Sequence, residues 1–584
     1  MEKIIQRRKS TGRDNPLPDA LREAAIHPLL AQIYYARGIN NSQELELQLA
    51  HLIPPGQLLN AGKAAILLAD ALAAGKKILI VGDFDADGAT STTLAVSVLR
   101  AFGATEVDYL VPNRFEFGYG LTPEIVALAE QKNPDLIITV DNGISSIEGV
   151  AAARALGIAT LITDHHLAGK ELPQADLIVN PNQPGCEFPS KNLAGVGVIF
   201  YVMLALRAEL RQRQWFQEHG IEEPNLAEYL DLVALGTVAD VVPLDRNNRI
   251  LVAQGLARIR AGKSRLGIAS LLQIAGKNYR TVVASDLGFA VGPRLNAAGR
   301  LDDMSIGIEC LLSDTHPDAG ALAARLHELN QDRRVIEQGM QVEADTALQQ
   351  LHMDEEATPP VAITLYQAGW HQGVIGILAS RVKDAKHRPT IVFADGDEGQ
   401  IKGSARSIAG IHIRDILDAI ASRHPGLILK FGGHAMAAGL SLEKDSYNDF
   451  SQAFIEEVAR HADDVNLQAV IESDGELGEG DFDIALATEL RFSGPWGQHF
   501  PEPVFDGQFH VVQQRLVGEK HLKLVLSPLG SKKLIDAIAF NVDLAVWPDD
   551  SIETVALAYR LDVNEFRGNR SLQLMVENIS PASC

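Results

Sequence analysis

Between about residues 61 and 240, short apolar blocks alternate with longer amphipathic stretches. The blocks Lys77–Val81, Val107–Val111, Leu136–Val140, Ala159–Thr163 and Leu177–Asn180 are rich in Ile, Leu and Val and bounded by polar turns. They read as buried strands. Segments between them, such as Pro123–Gln131 and Ser145–Leu156, space their apolar residues as helices do. That alternation predicts α/β architecture, with a parallel sheet covered by helices on both faces. A second alternating stretch spans about 361–465, with strand-like Val361–Tyr366 and Thr390–Ala394, a helix opened by Gly369–Gly376 and a small polar turn at Lys402–Ser407. After about 466 short β-type runs take over: Val512–Leu516, Leu522–Leu526, Val555–Leu561 and Leu572–Val576, separated by turn residues. They predict a small all-β barrel. The expected organisation is a helical lead-in (1–60), an α/β domain (61–302), a long helical connector (303–356), a second α/β domain (357–465) and the barrel (466–584).

The residues just after the strands carry the chemistry. Lys77–Val81 runs into Gly82-Asp83-Phe84-Asp85-Ala86-Asp87-Gly88, so three carboxylates at alternate positions occupy a strand-to-helix turn. Ala89, Thr90, Ser91 and Thr92 come next and offer caps for a helix starting near Leu94. That edge of an open α/β sheet is where ligands bind. Three acids so close repel one another unless a cation, typically a divalent metal, lies between them. A solvated Asp-rich turn would look the same, so the rest of the chain decides. Leu136–Val140 ends in Asp141, Thr160–Thr163 in Asp164-His165-His166, and the later run Leu232–Ala239 in Asp240. Singly, Asp141 reads as a helix cap and the two histidines as structural. Together they deliver acid and imidazole to one edge, and hard oxygen donors with one imidazole suit Mn²⁺ or Mg²⁺.

Composition narrows the picture without deciding it. The 584 residues suit three or four domains. The formal charge of −23 argues against a basic surface covering the molecule, though not against a local basic path. Cys186, Cys310 and Cys584 are too few and too scattered for a zinc site or disulfide framework, which points to a reducing, cytoplasmic compartment. The N-terminal cations Lys3, Arg7, Arg8 and Lys9 are followed by no apolar run, so no signal peptide is expected, and no apolar stretch is long enough to span a membrane.

The order DxDxD, D, DHH and D resembles the DHH phosphoesterase superfamily and, within it, the RecJ family of single-stranded-DNA-specific exonucleases. Supporting stretches are Val111–Arg114 with Gly118–Leu121, Val179–Asn182, Gly236–Leu244, Gly292–Arg300 and Gly432–Gly439. The resemblance covers nearly the whole chain, with no departure at the metal positions. It implies a DHH catalytic domain, a DHH-associated domain over 357–465 and a C-terminal OB-type barrel that binds single strands. In the barrel region Trp496, Phe500, Phe505, Lys520, His521, Lys523, Phe566 and Arg567 are available, each aromatic taken singly reading as core.

The resemblance further implies two metal ions, Mn²⁺ or Mg²⁺. Asp85 and Asp87 would serve opposite ions and Asp141 would bridge them. His165 and Asp240 would complete the second ion's shell, and Asp83 would support the first. Asp164 would orient an imidazole, and His166 would contact the scissile phosphate. Arg114, Ser404 and Arg406 would hold phosphate at the entering 5′ end, with Arg294, Arg300 and His434 touching the strand. Water activated by the ions would be the nucleophile, since no Ser or Cys stands at a suitable elbow. The activity implied is 5′→3′ degradation of single-stranded DNA to 5′-mononucleotides in recombination, repair and mismatch repair. Implied partners are a single-strand binding protein and a RecQ-type helicase around a monomeric enzyme, with no membrane involved. A phosphoesterase acting on cyclic dinucleotides or very short RNA, and a binder with a decayed site, are the alternatives.

Overall fold

The computed structural model describes residues 3–9, 17–113, 120–351, 360–396, 399–462, 467–566 and 568–582. The chain divides into two compact units: Arg7–Asn330 with Ser473–Cys584, and Met1–Gln6 with Gln331–Glu472.

In the larger unit, strand β1 (Ile78–Val81) leads into helix α1 (Ala86–Ala101), followed by β2 (Val107–Leu110), β3 (Leu136–Val140), β4 (Ala159–Thr163) and β5 (Leu177–Val179). All five strands are parallel, in the order β2-β1-β3-β4-β5. Every residue of β1 and β3 is buried, which is why both read as unbroken apolar runs. Register aligns the strand ends: Val81 lies beside Thr139, and Val140 beside Thr163. Strand order reverses at β1, whose neighbours are β2 and β3, and the crevice beyond the carboxyl ends of β1 and β3 is the topological switch point. Helices α2 (Gly195–Gln212), α3 (Leu230–Ala239) and α4 (Gly292–Leu301) close around it.

Three local expectations fail here. α1 begins at Ala86, a full two turns before Leu94, because Asp85 caps it and Asp87 and Gly88 join its first turn. Thr90 and Thr93 instead return their hydroxyls to the carbonyls of Asp87 and Ala89. The run ending in Asp240 is the helix α3. It is buried almost all round, so periodicity cannot separate helix from strand there. The lead-in is not wholly helical, since Ile4–Arg7 is a strand.

Helix α5 (His316–Leu351) contains the boundary between the units. In the smaller unit, β6 (Ile363–Tyr366), helix α6 (Ile375–Lys386), β7 (Thr390–Asp395), β8 (Gln400–Arg406), β9 (Lys430–Gly433) and β10 (Ala437–Glu443) form a sheet ordered β9-β10-β8-β7-β6. Lys402–Arg406 is thus a strand segment and not a polar turn. Ile401, Gly403 and Ala405 face the core while Lys402, Ser404 and Arg406 share the other face.

The C-terminal strands β11 (Phe505–Val517), β12 (His521–Pro528), β13 (Ile535–Ala539), β14 (Thr554–Phe566) and β15 (Asn569–Pro581) close into a barrel in the order β11-β12-β13-β15-β14. β13, which the apolar pattern does not predict, completes the closure by pairing with β15 in parallel. Phe505 is buried in the barrel core. Trp496 and Phe500 stack on each other at 5.2 Å and on Tyr34, with Arg249 4.4 Å over the Phe500 ring. These aromatics fasten the segment before the barrel to the rest of its unit. Arg567 lies outside the described residues.

Candidate metal centre

The acid cluster is built by a cap, two helix ends and a left-handed residue. Asp85 Oδ1 accepts the N–H groups of Asp87 and Gly88, both at 2.9 Å, which spends one oxygen on α1 and leaves the other to the crevice. Asp87 is almost fully buried, and its oxygens accept the N–H groups of Gly195 (2.6 Å) and Val196 (3.0 Å) at the start of α2. Asp83 Oδ1 accepts the N–H of Phe84. Asp141 sits at φ +62°, a conformation Asp tolerates better than most residues, where the chain turns sharply off β3. Asp164, buried at the end of β4, accepts the N–H groups of Ile144, His165 and His166 and the His166 Nδ1 at 2.8 Å. That bond aims the second imidazole. Asp240 ends α3, and its Oδ2 lies 3.4 Å from His165 Nε2, which stands 3.1 Å from Asp141 Oδ1.

Ligand atoms of Asp83, Asp85 and Asp141 gather in one group, those of Asp87, His165 and Asp240 in a second, and those of Asp141, His165 and His166 in a third. All six residues expected to bind metal are therefore brought together. Asp164 stands behind His166, outside these groups.

Electrostatics show what the cluster calls for. Burial, then the neighbouring acids, push Asp87 up to about 7, and burial with Asp85 pushes Asp240 up to about 8. Asp141 is raised well above the ordinary carboxylate range by burial and by Asp87, Asp85, Asp240 and Asp83. Burial and His166 lower His165, so it is neutral. Burial also opposes charge on His166, but the hydrogen bond to Asp164 overrides it and raises the imidazole to about 9. Against burial, the same bond holds Asp164 down at about 2.

A metal pair fits these donors. His165 Nε2 and Asp240 Oδ2 are buried, face each other, and make no hydrogen bond. A cation between them would draw on both the imidazole lone pair and the carboxylate oxygen, displacing the proton that burial otherwise keeps on Asp240. The donor set of carboxylates with one imidazole suits Mn²⁺ or Mg²⁺.

The sequence matches the DHH family N-terminal domain over residues 77–237, the DHHA1 domain over 359–460 and the RecJ OB domain over 473–578. It is 56% identical over 581 residues, the full length of both chains, to the single-stranded-DNA-specific exonuclease RecJ of Dickeya dadantii. It is 55% identical to that of Escherichia coli, over 99% of this chain and all of the other. The chain belongs to the RecJ family. Crystal structures of Thermus thermophilus RecJ in complex with Mn²⁺ and with Mg²⁺ share its fold, with TM-scores of 0.76 and 0.72 at 31% and 29% identity. Each alignment covers 97% of this chain, and 77% and 76% of the respective crystallised chains. The RecJ OB domain separates the chain from the compact small-substrate esterase considered as an alternative.

The expected strand contacts are placed less uniformly. Arg294 is buried in α4, donating to the Ala290 carbonyl at 2.5 Å and to His327 Nδ1 at 3.2 Å. Arg300 lies at the end of the same helix. In the smaller unit, Arg406 Nη1 donates to Ser404 Oγ at 3.1 Å, and a Cβ on Gly376 would stand 3.0 Å from both side chains. The start of α6 thus abuts a half-exposed arginine and serine. His434 is exposed in the turn between β9 and β10. Arg114 lies outside the described residues.

Some supporting residues escape the sequence argument. Asn296 of α4 accepts the Ala86 N–H at 2.7 Å and so braces the first turn of α1. A Cβ at Gly195 would fall 2.5 Å from that of Asp141, and one at Gly236 2.6 Å from Asp87 Oδ1. Both helices approach the acids only because these positions are glycine. The glycine-led start of α2 is a readable signal of an anion seated at a helix N-terminus. Asn296 offers none, because its partner is 210 residues away.

Proposed function

We propose that this chain hydrolyses single-stranded DNA from its 5′ end, releasing 5′-mononucleotides, with two Mn²⁺ or Mg²⁺ ions, in DNA recombination and repair. The convergence of Asp83, Asp85, Asp87, Asp141, His165 and Asp240 at the switch point of a RecJ-family sheet carries this reading. Asp83 and Asp85 would hold one ion, Asp87, His165 and Asp240 the other, with Asp141 shared. Such a pair supplies charge neutralisation at the phosphodiester and lowers the pKa of water. His166, a cation near neutral pH held by Asp164, donates to a phosphate oxygen as negative charge develops there. Ser404 and Arg406, with Arg114, hold the phosphate of the 5′ end, while Arg294, Arg300 and His434 act on the strand, the buried Arg294 through α4.

In this reading residues 61–302 are catalytic, 303–356 a connector, 357–465 a DHH-associated domain and 466–584 a single-strand-binding domain, preceded by the lead-in of 1–60. The enzyme works as a monomer in the cytoplasm, beside a single-strand binding protein and a RecQ-type helicase. Among the described residues no helix is long and apolar enough to cross a membrane. The test uses oligonucleotides labelled at either end, with Mn²⁺ or Mg²⁺. Label at the 5′ end should leave first as mononucleotide. Release of the 3′ label first would reverse the polarity, and inertness in both metals would remove the activity.

A further inference from the structure

A cavity of about 500 Å³ opens between the end of α3, the helix that Asp240 terminates, and the segment that precedes the barrel. Val238 and Val241, which bracket Asp240, line it. Phe289 and Phe492 form its lips, with Arg260 and Arg491 among them. Its features are costly for a surface without a ligand. Phe289 is 81% exposed, on a π-helical turn (Leu287–Val291), an irregularity that recurs at functional sites. Val241 is 62% exposed and held at φ +60°, an outlier for a β-branched residue. Phe492 is 39% exposed with the Arg260 guanidinium 5.0 Å over its ring. Arg491 reaches Asp562 only at 3.5 Å, and its Nε makes no hydrogen bond.

We infer that this cavity seats an unstacked nucleobase of the bound strand, close to the scissile phosphate, as a deeper part of the exonuclease site proposed above and resting on that proposal. The occupant is identified by three features. The wall includes Val238 and Val241, which flank Asp240 in the chain, so an occupant lies within a nucleotide's length of the metal centre. The exposed Phe289 ring suits a flat π system of any base identity. The two arginines complement the phosphates that flank a base, in a chain whose overall charge is strongly negative. A single strand fits because its bases are free to leave the stack, whereas a duplex must first break pairs.

The test walks 2-aminopurine along a single-stranded oligonucleotide bound in EDTA, so that no cleavage intervenes. One position near the 5′ end should be quenched. Phe289→Ala should abolish that quenching and raise the Kd of the strand between about five- and a hundredfold, without shifting the melting temperature. Phe289→Trp should restore both. An abasic nucleotide at the quenched position should weaken wild-type binding similarly and make Phe289→Ala neutral, because both remove one contact. Unchanged quenching and Kd in both Phe289→Ala and Phe492→Ala would overturn the inference. So would weakened binding of free thymidine monophosphate with unaltered strand binding. A wild-type enzyme that leaves single strands intact would instead sink the exonuclease proposal, and is seen before any variant is made.

Discussion

The metal centre and the Ser404–Arg406 pair are two sets of polar side chains positioned by sheets, built on opposite terms. In the first, carboxylates from three separate stretches of chain meet in a buried crevice, and burial, then their mutual repulsion, favours their protonated forms. In the second, an arginine and a serine two residues apart on β8 share one half-exposed face and steady each other locally. Buried like charges depend on every member and on the ions that reconcile them. Exposed polar pairs act nearly singly. Tolerance of mutation and response to pH should therefore differ sharply between the two regions.

The largest effect should come from Asp141→Ala, which removes the acid shared between ligand groups. Loss on the order of 10³-fold in turnover is expected, as several kcal/mol of charge stabilisation disappear. Circular dichroism should stay native. Activity within tenfold of wild type would deny the shared role. Asn296→Ala leaves the acids in place but frees the start of α1, and a fall in Mn²⁺ affinity of roughly 10–100-fold is expected. Calorimetry measures it, and an unaltered affinity would show that the brace is dispensable. On the other side of the comparison, Arg406→Ala should raise KM for a 5′-phosphorylated strand about tenfold, with kcat little changed, as one charged hydrogen-bond donor is lost. A collapse of kcat instead would place Arg406 in the chemistry.

The smallest effect is on stability, and its sign separates the regions most cleanly. Asp87 and Asp240 have folded values near 7 and 8, above their unfolded range. The metal-free fold therefore binds more protons than the unfolded chain, and loses stability as pH rises from about 4 to 8. His166 adds to the trend, since its contribution is complete below its unfolded value and fades as pH passes about 9. Asp164 contributes steadily above about 4 and is lost only as pH falls toward 2. Melting temperature in EDTA should thus fall between about pH 6 and 8.5, and Mn²⁺ should reverse the fall. Asp87→Asn should flatten it, whereas Arg406→Ala should leave the slope unchanged. A melting temperature that rises with pH in EDTA would contradict the buried-acid account.

Much of this molecule is legible from one dimension because its parallel strands are buried on both faces and announce themselves as apolar runs. Most of the ligand acids directly succeed such runs, so motif and strand end are read together. β8 reads wrongly as a turn because its glycine and alanine face inward beside lysine, serine and arginine, and a strand of small residues carries turn-like composition. β13 escapes notice because five residues, Ile535–Ala539, carry little pattern apart from their partners.

The order of acids and imidazoles, and hence the kind of ion they hold, was determined by the sequence alone, since donor chemistry is a property of side chains. Which acid caps, which is buried and which imidazole stays neutral was decided only by the tertiary structure. Those states depend on distances to groups that folding brings up: Gly195 and Val196 to Asp87, Asn296 to Ala86, and Asp164 to His166. The cavity beside Asp240 is likewise a product of packing, because its walls come from three separated stretches whose residues, read in order, look like ordinary core.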